Sequence, residues 1–419
     1  MNNFMKVLII SSIFPYPKDN GKKIILSSIV EYFLEKYGEE SVTYIVVGSS
    51  VEEQKNFLTI SLRKPNLSEQ LYNLVNYTLI KRMKSIQESM LFSQKIKEKL
   101  YDYLKKGKYD LVIYDTVRIA QYFEENLEIP IREIVYLDDL FSIRYEKMLE
   151  AIQRYPNVKF NSLGNFTKFL PPFARNITDV KCFNKMLLNL EKELIYNREI
   201  DMARRFRNCL LISEEETNIL KQRSNQEGIY SIKPVLKTKN IKRNYDGNGR
   251  FVFLGSLNIP HNDVSIRNFI EQNIDFIMNT PNVFIDIIGK NPTKELIDLA
   301  QKYHKIRLHG YIKNLEEIFA NSCAMLVPLL FGSGVKLKTL EAFSMGLPVI
   351  STDFGIEGIN LKTGKECIVE NDIKKYQEHM LRLMDKSYNQ QISKNSRLFF
   401  ETHYSKDSIY KEYDILFSR

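Results

Sequence analysis

The residues best placed to do chemistry lie in LVPLLFGSGVKLKTLEAFSMGLPVISTDFGIEG, residues 326–358. An apolar run ends near Leu330, a Gly-Ser-Gly loop follows, and a helical pattern from about Val335 to Met345 is stopped by Gly346 and Pro348. Gly332 and Gly334 let backbone N–H groups approach a ligand with no side chain in the way. They do so at a helix N-terminus, where dipole and free donors together favour an anion. Lys336 and Lys338 sit where a helix normally disfavours cations by about 0.3–1 kcal/mol, and an anion opposite them removes that penalty. Glu341 lies three residues beyond Lys338 on the same helical face. A surface pair between the two, worth under about 1 kcal/mol, is the competing use for both.

Other reactive groups are sparser. Asp138 and Asp139, in VYLDDLFSIRY, follow an apolar run and either face a ligand from a strand end or cap the next helix. No Ser-His-Asp or Cys-His constellation can be assembled from His261, His304, His309, His379 and His403. Only His261 stands near the candidate anion loop, where a helix-entry role is the alternative. The cysteines, Cys182, Cys209, Cys323 and Cys367, form no CxxC pair and have no His at zinc-ligand spacing, so neither a disulfide framework nor a structural metal is indicated.

The 326–358 stretch resembles the donor-nucleotide signature of retaining GT-B glycosyltransferases of the family 4 type, in a bacterial polysaccharide-biosynthesis branch reading roughly FGSGVxxKxLEAxxxGxPVISTxxGxEG. FLGSLNIPHN at 253–262, DIIGKNP at 286–292 and LHGYIKNLEEIFANSCAMLVPL at 308–329 are similar to the family's preceding segments, and SSIFPYPKDNGKKIILSSIVEYF at 11–33 is similar to its first βα turn. The resemblance covers the C-terminal half nearly throughout and the N-terminal half in patches. It implies that Glu341 accepts from the donor's ribose hydroxyls and that Lys338 meets the diphosphate. It further implies that Gly332, Ser333 and Gly334 face phosphates and sugar, that Tyr311 and Ile312 bracket the base, and that Gly21 closes on the phosphate from the first domain. Asp138 would face the acceptor or the transferred sugar. Two departures stand out: Ser333 occupies the place of a sugar-facing Glu, and Ser256 and Asn262 stand where relatives often carry Arg and Lys, with Lys336 able to replace the lost charge.

What the resemblance implies is an enzyme that moves a sugar from a nucleotide-diphosphate donor to a glycan or lipid-linked acceptor, with retention, with no metal and no cofactor beyond the co-substrate. A nucleotide-sugar epimerase using the same cleft and a catalytically inactive relative are the competing readings. A dinucleotide oxidoreductase needs GxGxxG directly after the first strand, and SSIFPYPKDNG offers one glycine there.

Elements to position these residues are legible in the apolar runs. KVLIISS, VTYIVVG, YDLVIYD and REIVYLD, at 6–12, 42–48, 109–115 and 132–138, are continuous instead of alternating, as strands buried on both faces require. Helical stretches between them imply crossovers and a parallel sheet. The stretches at about 85–108 and 183–207 read as charged helices with apolar core stripes, the latter through Met186, Leu190, Leu194 and Ile195. In LLISEEETNIL, Ser213 is placed as an N-cap with Glu216 completing a capping box. A second series, RFVFLGS, VFIDIIG, IRLHGYI, AMLVPLL and PVIST, begins at residue 250.

The expected fold is α/β, with two Rossmann-like doubly wound domains facing a cleft. The expected divisions are an acceptor domain at 1–235, a linker at 236–249, a donor domain at 250–389 and a helical segment at 390–419. That last segment returns to the first domain, with Tyr404, Tyr410, Tyr413 and Phe417 either making the return contact or packing on the second domain.

The 419 residues carry 60 Lys and Arg against 51 Asp and Glu, a formal charge of +9, with 44% apolar residues. That apolar share excludes a largely disordered chain. No nucleic-acid-binding pattern accompanies the charge, so nucleic acid is not an expected partner. The first apolar run reads as a buried strand, not a signal peptide, and no window has the 18 consecutive apolar residues of a membrane span. A cytoplasmic location is expected. Basic and aromatic segments at 74–87 and 160–176 allow contact with an anionic inner membrane face, or are ordinary solvated loops.

Overall fold

In the computed structural model the described residues are 4–51, 55–154, 181–236, 241–332 and 334–418, with backbone alone for 181–184. Two compact units are present. Among the described residues, one holds those up to Pro234 together with Tyr413–Ser418, and the other holds Val235–Glu412. The interaction segment expected at 160–176 and the site residue Ser333 lie outside the described residues.

The first unit is a seven-stranded sheet in the order β3-β2-β1-β4-β5-β6-β7. Its strands are β1 (Val7–Ser11), β2 (Val42–Val47), β3 (Leu58–Leu62), β4 (Leu111–Asp115), β5 (Arg132–Asp138), β6 (Asn208–Leu211) and β7 (Ile229–Ser231). All neighbours pair in parallel, for example Ile9 with Tyr44 on one side and with Ile113 on the other. Every residue of β1, β2 and β4 is buried, which is why these runs contain no alternation. The unit's helices include α1 (Gly21–Tyr37), α2 (Leu67–Asn73), continued by a π-helical segment Leu74–Ile80, then α3 (Ile86–Leu91) and α4 (Lys181–Arg205).

The second unit is a six-stranded parallel sheet, β10-β9-β8-β11-β12-β13. It comprises β8 (Gly249–Leu254), β9 (Val283–Ile288), β10 (Ile306–Gly310), β11 (Ala324–Val327), β12 (Val349–Ser351) and β13 (Ile368–Val369). Phe251, Phe253, Ile285, Ile287 and Leu326 form its core with Ile266, Phe269 and Ile270 of α5 (Pro260–Asn279). Two further helices matter below, α6 (Leu337–Ser344) and α7 (Lys406–Ser418). In each sheet the strand order reverses beside the first strand, between β1 and β4 and between β8 and β11. Open α/β sheets bind ligands outside the carboxyl ends of the strands at such a point.

Several expectations are corrected. The 85–108 stretch is two helices, broken at Phe92 and Ser93 before a second helix Gln94–Gly107. Met186 is exposed instead of core, although Leu194 and Ile195 are buried. Ser213 does cap its helix through the Glu216 N–H, but a Glu216 carboxylate oxygen accepts from the Leu140 N–H at 3.0 Å, tying that helix to the loop after β5. The terminal aromatics divide. Tyr413 and Phe417 belong with the first unit, whereas Tyr404 packs on Phe399 and Phe400 of the second. No described helix is long and apolar enough to cross a membrane.

Candidate functional site

The loops that leave β8, β9, β10 and β11 emerge at one edge of the second sheet. After β11 the chain turns through Gly332 and Gly334, both with positive φ (134° and 76°), where a side chain would be strained. α6 then starts at Leu337 with Lys336 as its cap residue, two residues later than the pattern suggested, and ends before Gly346 (φ 64°). Lys338 therefore lies in the first turn. Its ammonium donates to Oδ1 of Asn262 at 2.8 Å and sits 4.6 Å from the Phe253 ring centre. The cation reaches across to Asn262 in the first turn of α5 instead of along its own helix to Glu341.

Asn262 in turn donates to the Ser256 carbonyl (3.1 Å), so Ser256, Asn262 and Lys338 form one connected group across the switch point. Lys336 Nζ donates to the Gly334 carbonyl (2.6 Å) and lies 3.8 Å from a Glu357 carboxylate oxygen. Burial and the neighbouring Lys336 push Lys338 down to about 7. His261 is pushed down to about 3 by burial, then by Lys338 and Lys336, so its ring is neutral at physiological pH. Lys336 thus has the Glu357 carboxylate close by, whereas Lys338 is held by an amide beside a neutral ring, an arrangement in which an incoming anion would favour its charged form.

Other residues expected at the site are linked through the same loops. Leu257 N–H donates to the Lys290 carbonyl (2.9 Å), and Gly289 N–H to that of Gly310 (2.7 Å). Lys290 Nζ stands 4.2 Å from the centre of the exposed Tyr311 ring. Ile312 follows in the same turn, partly buried, while Glu341 is half-buried one turn along α6 from Lys338. Ser256, Asn262, Tyr311, Ile312, Gly332, Gly334, Lys336 and Lys338 thus lie on the turns and helix starts that follow β8, β10 and β11, with Glu341 one turn further along α6.

The first unit holds a cluster that sequence reading mostly missed. Gly21 does not stand on an open loop. It is the first residue of α1, whose cap is Asn20, with Oδ1 accepting from the Lys23 N–H. The neighbouring Lys22 reaches into the sheet edge instead, 2.7 Å from Asp115 Oδ1 and 3.8 Å from Asp138 Oδ2. Ser11 Oγ donates to Asp115 Oδ2 (2.6 Å), and Tyr136 OH donates to Asp138 Oδ1 (2.8 Å). Ser11, Asp115 and Asp138 end β1, β4 and β5, and all three are buried. Asp138 has φ 71° and its carboxyl is raised by burial, against the lowering effect of Lys22. Asp139 pairs with Arg144, so neither aspartate is merely a helix cap. A buried pair of this kind is costly to break, about 3–5 kcal/mol when one partner is removed. The missed signal was the aspartate ending two successive apolar runs, YDLVIYD and REIVYLD. Among the described residues, no three His, Cys, Asp or Glu side chains converge as metal ligands.

Comparison with solved structures assigns the architecture. The fold matches sucrose-phosphate synthase from Thermosynechococcus elongatus with a TM-score of 0.66 and 14% identity, covering 99% of this chain and 98% of that one. It matches HepE from Anabaena in complex with UDP with a TM-score of 0.64 and 11% identity, covering 99% and 100%. The fold is the GT-B fold. Residues 248–386, which carry the anion loop, match the family model described as Glycosyl transferases group 1. A relative from Klebsiella pneumoniae, described as an uncharacterized 44.6 kDa protein in the cps region, is 25% identical over 232 residues. That match takes in 52% of this chain, and the chain spans 58% of the relative's length.

Proposed function

We propose that the protein transfers a sugar from a nucleotide-diphosphate donor to a glycan or lipid-linked acceptor in surface polysaccharide synthesis, with retention of configuration. The observation that carries this reading is Lys338, a lysine with its pKa pushed down to about 7, held beside Lys336 at the start of α6 and at the switch point of the second sheet. Departure of a nucleoside diphosphate develops negative charge, and prearranged donors that meet that charge lower the barrier. Lys338, Lys336 and the N–H groups of Gly332 and Gly334 are such donors, and they supply this stabilisation without calling on a metal. Glu341 accepts from the ribose, Tyr311 and Ile312 bracket the base, and Asp138 with Lys22 and Asp115 orients the sugar or acceptor. The UDP held by HepE makes a uridine donor the first to test, and the cps-region relative supports a polysaccharide setting.

Calorimetric titration with UDP and with uridine separates the two roles. Lys338→Ala is expected to weaken UDP about 10- to 100-fold, the equivalent of one charge-assisted hydrogen bond, and to leave uridine unchanged. Glu341→Ala is expected to weaken both. If a panel of nucleoside diphosphates binds both variants as it binds the parent, the site assignment is wrong.

A further inference from the structure

Surface helices of water-soluble domains turn polar residues outward and apolar residues inward. The segment formed by α2 and its π-helical continuation does the reverse. Gln70, Asn73 and Thr78 are at most 3% exposed. Each donates a hydrogen bond into the protein, to the Pro65 carbonyl (3.1 Å), the Phe92 carbonyl (2.8 Å) and Ser89 Oγ (2.7 Å). Leu67, Leu71, Val75, Leu79, Ile80 and Met83 point to solvent, with Ile80 71% exposed. The segment is fixed in this orientation by its polar side, so the apolar ridge cannot be turned inward without leaving buried amides unpaired. Contiguous apolar surface of this kind marks an interaction site.

The charges around the ridge identify its partner. Exposed Arg63 and Lys64 precede the helix, and exposed Lys81 and Arg82 follow it. Lys81 lies 5.2 Å from the Tyr77 ring centre, and Arg82 pairs with Glu193 at 2.8 Å. An apolar ridge with cations at both ends matches the surface of an anionic bilayer, where acyl chains take the Leu and Ile side chains and lipid phosphates take the cations. Two copies of the chain joined through this face would instead set these cations against each other.

We propose that the segment Leu67–Met83 docks the first unit onto an anionic membrane surface, lying in the interface without crossing it. This docking does not depend on the sugar chemistry.

The test uses the full chain and vesicles of phosphatidylglycerol mixed with phosphatidylcholine, against vesicles of phosphatidylcholine alone. The sequence has no tryptophan, so Ile80→Trp provides a single reporter. Its emission is expected to shift to the blue on the anionic vesicles only. In sedimentation, Lys64→Gln and Lys81→Gln should each weaken binding about fivefold at low salt. Leu79→Ser with Ile80→Ser should weaken it at least about tenfold, with an unchanged melting temperature, because both side chains are already in water. The proposal is overturned by no binding to anionic vesicles, by equal binding to neutral ones, or by an Ile80→Trp emission unmoved by lipid. A concentration-dependent dimer that Leu79→Ser with Ile80→Ser dissociates overturns it as well.

Discussion

The Lys338 ammonium, lowered to about 7 by burial and by Lys336, loses its proton in the range where assays are commonly run. A diphosphate beside it holds that proton on, so binding above pH 7 takes up a proton. Affinity for UDP should therefore fall as pH rises from 7 towards 9, by up to about tenfold per pH unit. The stability of the free protein moves the other way. The folded pKa lies below the unfolded value of about 10.4, so the penalty for burying the charge is complete below 7 and relieved as pH climbs. Weakened binding at pH 9 is then not unfolding. Titrations at several pH values should show the slope in the parent and none in Lys338→Arg, which stays charged throughout. A flat profile in the parent would mean that Lys338 does not meet the anion. At this scale Lys338 and Glu341 were legible because their signal is local: glycines, lysines and a carboxylate within ten residues. Lys22 and Asp115 were not, because 93 residues separate them and only the pairing of β1 with β4 brings them together.

The elements that position the site depend on close approach between loops. At Gly289, just after β9, an added Cβ would fall 1.7 Å from the Gly255 carbonyl oxygen and 2.9 Å from the Leu257 side chain. Both neighbours belong to the turn that carries Ser256, and that turn leads to Asn262, the partner of Lys338. Gly289→Ala must push this turn away, with an overpacking cost of about 1–3 kcal/mol. The melting temperature should drop by several degrees, and UDP binding should weaken in the same variant although no contacting side chain has changed. Normal UDP affinity at a lowered melting temperature would show that the turn does not set the position of Lys338. The strands flanking these turns were readable because buried parallel strands are apolar on both faces. The edge strand β3 was missed, since LTISL is largely solvent-facing and lacks a continuous apolar run. β13, at two residues, is too short to leave a pattern.

The chain as a whole returns its last residues to the unit it began with. Tyr413 and Phe417 of α7 are buried in the first unit. Tyr413 OH donates to the Lys233 carbonyl (2.7 Å), and the Phe417 ring lies 4.9 Å from that of Phe33 and 5.6 Å from that of Tyr32. Tyr32 OH donates to Asp414 (2.6 Å), and Lys36 pairs with the same carboxylate. Although burial alone would raise it, the Asp414 carboxyl is held below its usual range by hydrogen bonds from Lys36 and Tyr32. Its contribution is present above the unfolded pKa and lost as pH falls through the folded one. Exposure keeps that contribution small, and the aromatic pair dominates. Deleting residues 413–419 uncovers Phe33 and Tyr32 on α1, the helix that presents Lys22 to Asp115. Removing one large buried aromatic side chain costs about 3–5 kcal/mol, a large part of a domain's whole stability. Scanning calorimetry of the deletion, and of Phe417→Ala alone, should show the first unit melting at a lower temperature, with the deletion more affected. An unchanged scan for both variants would mean that the aromatic contact with α1 contributes nothing to the first unit.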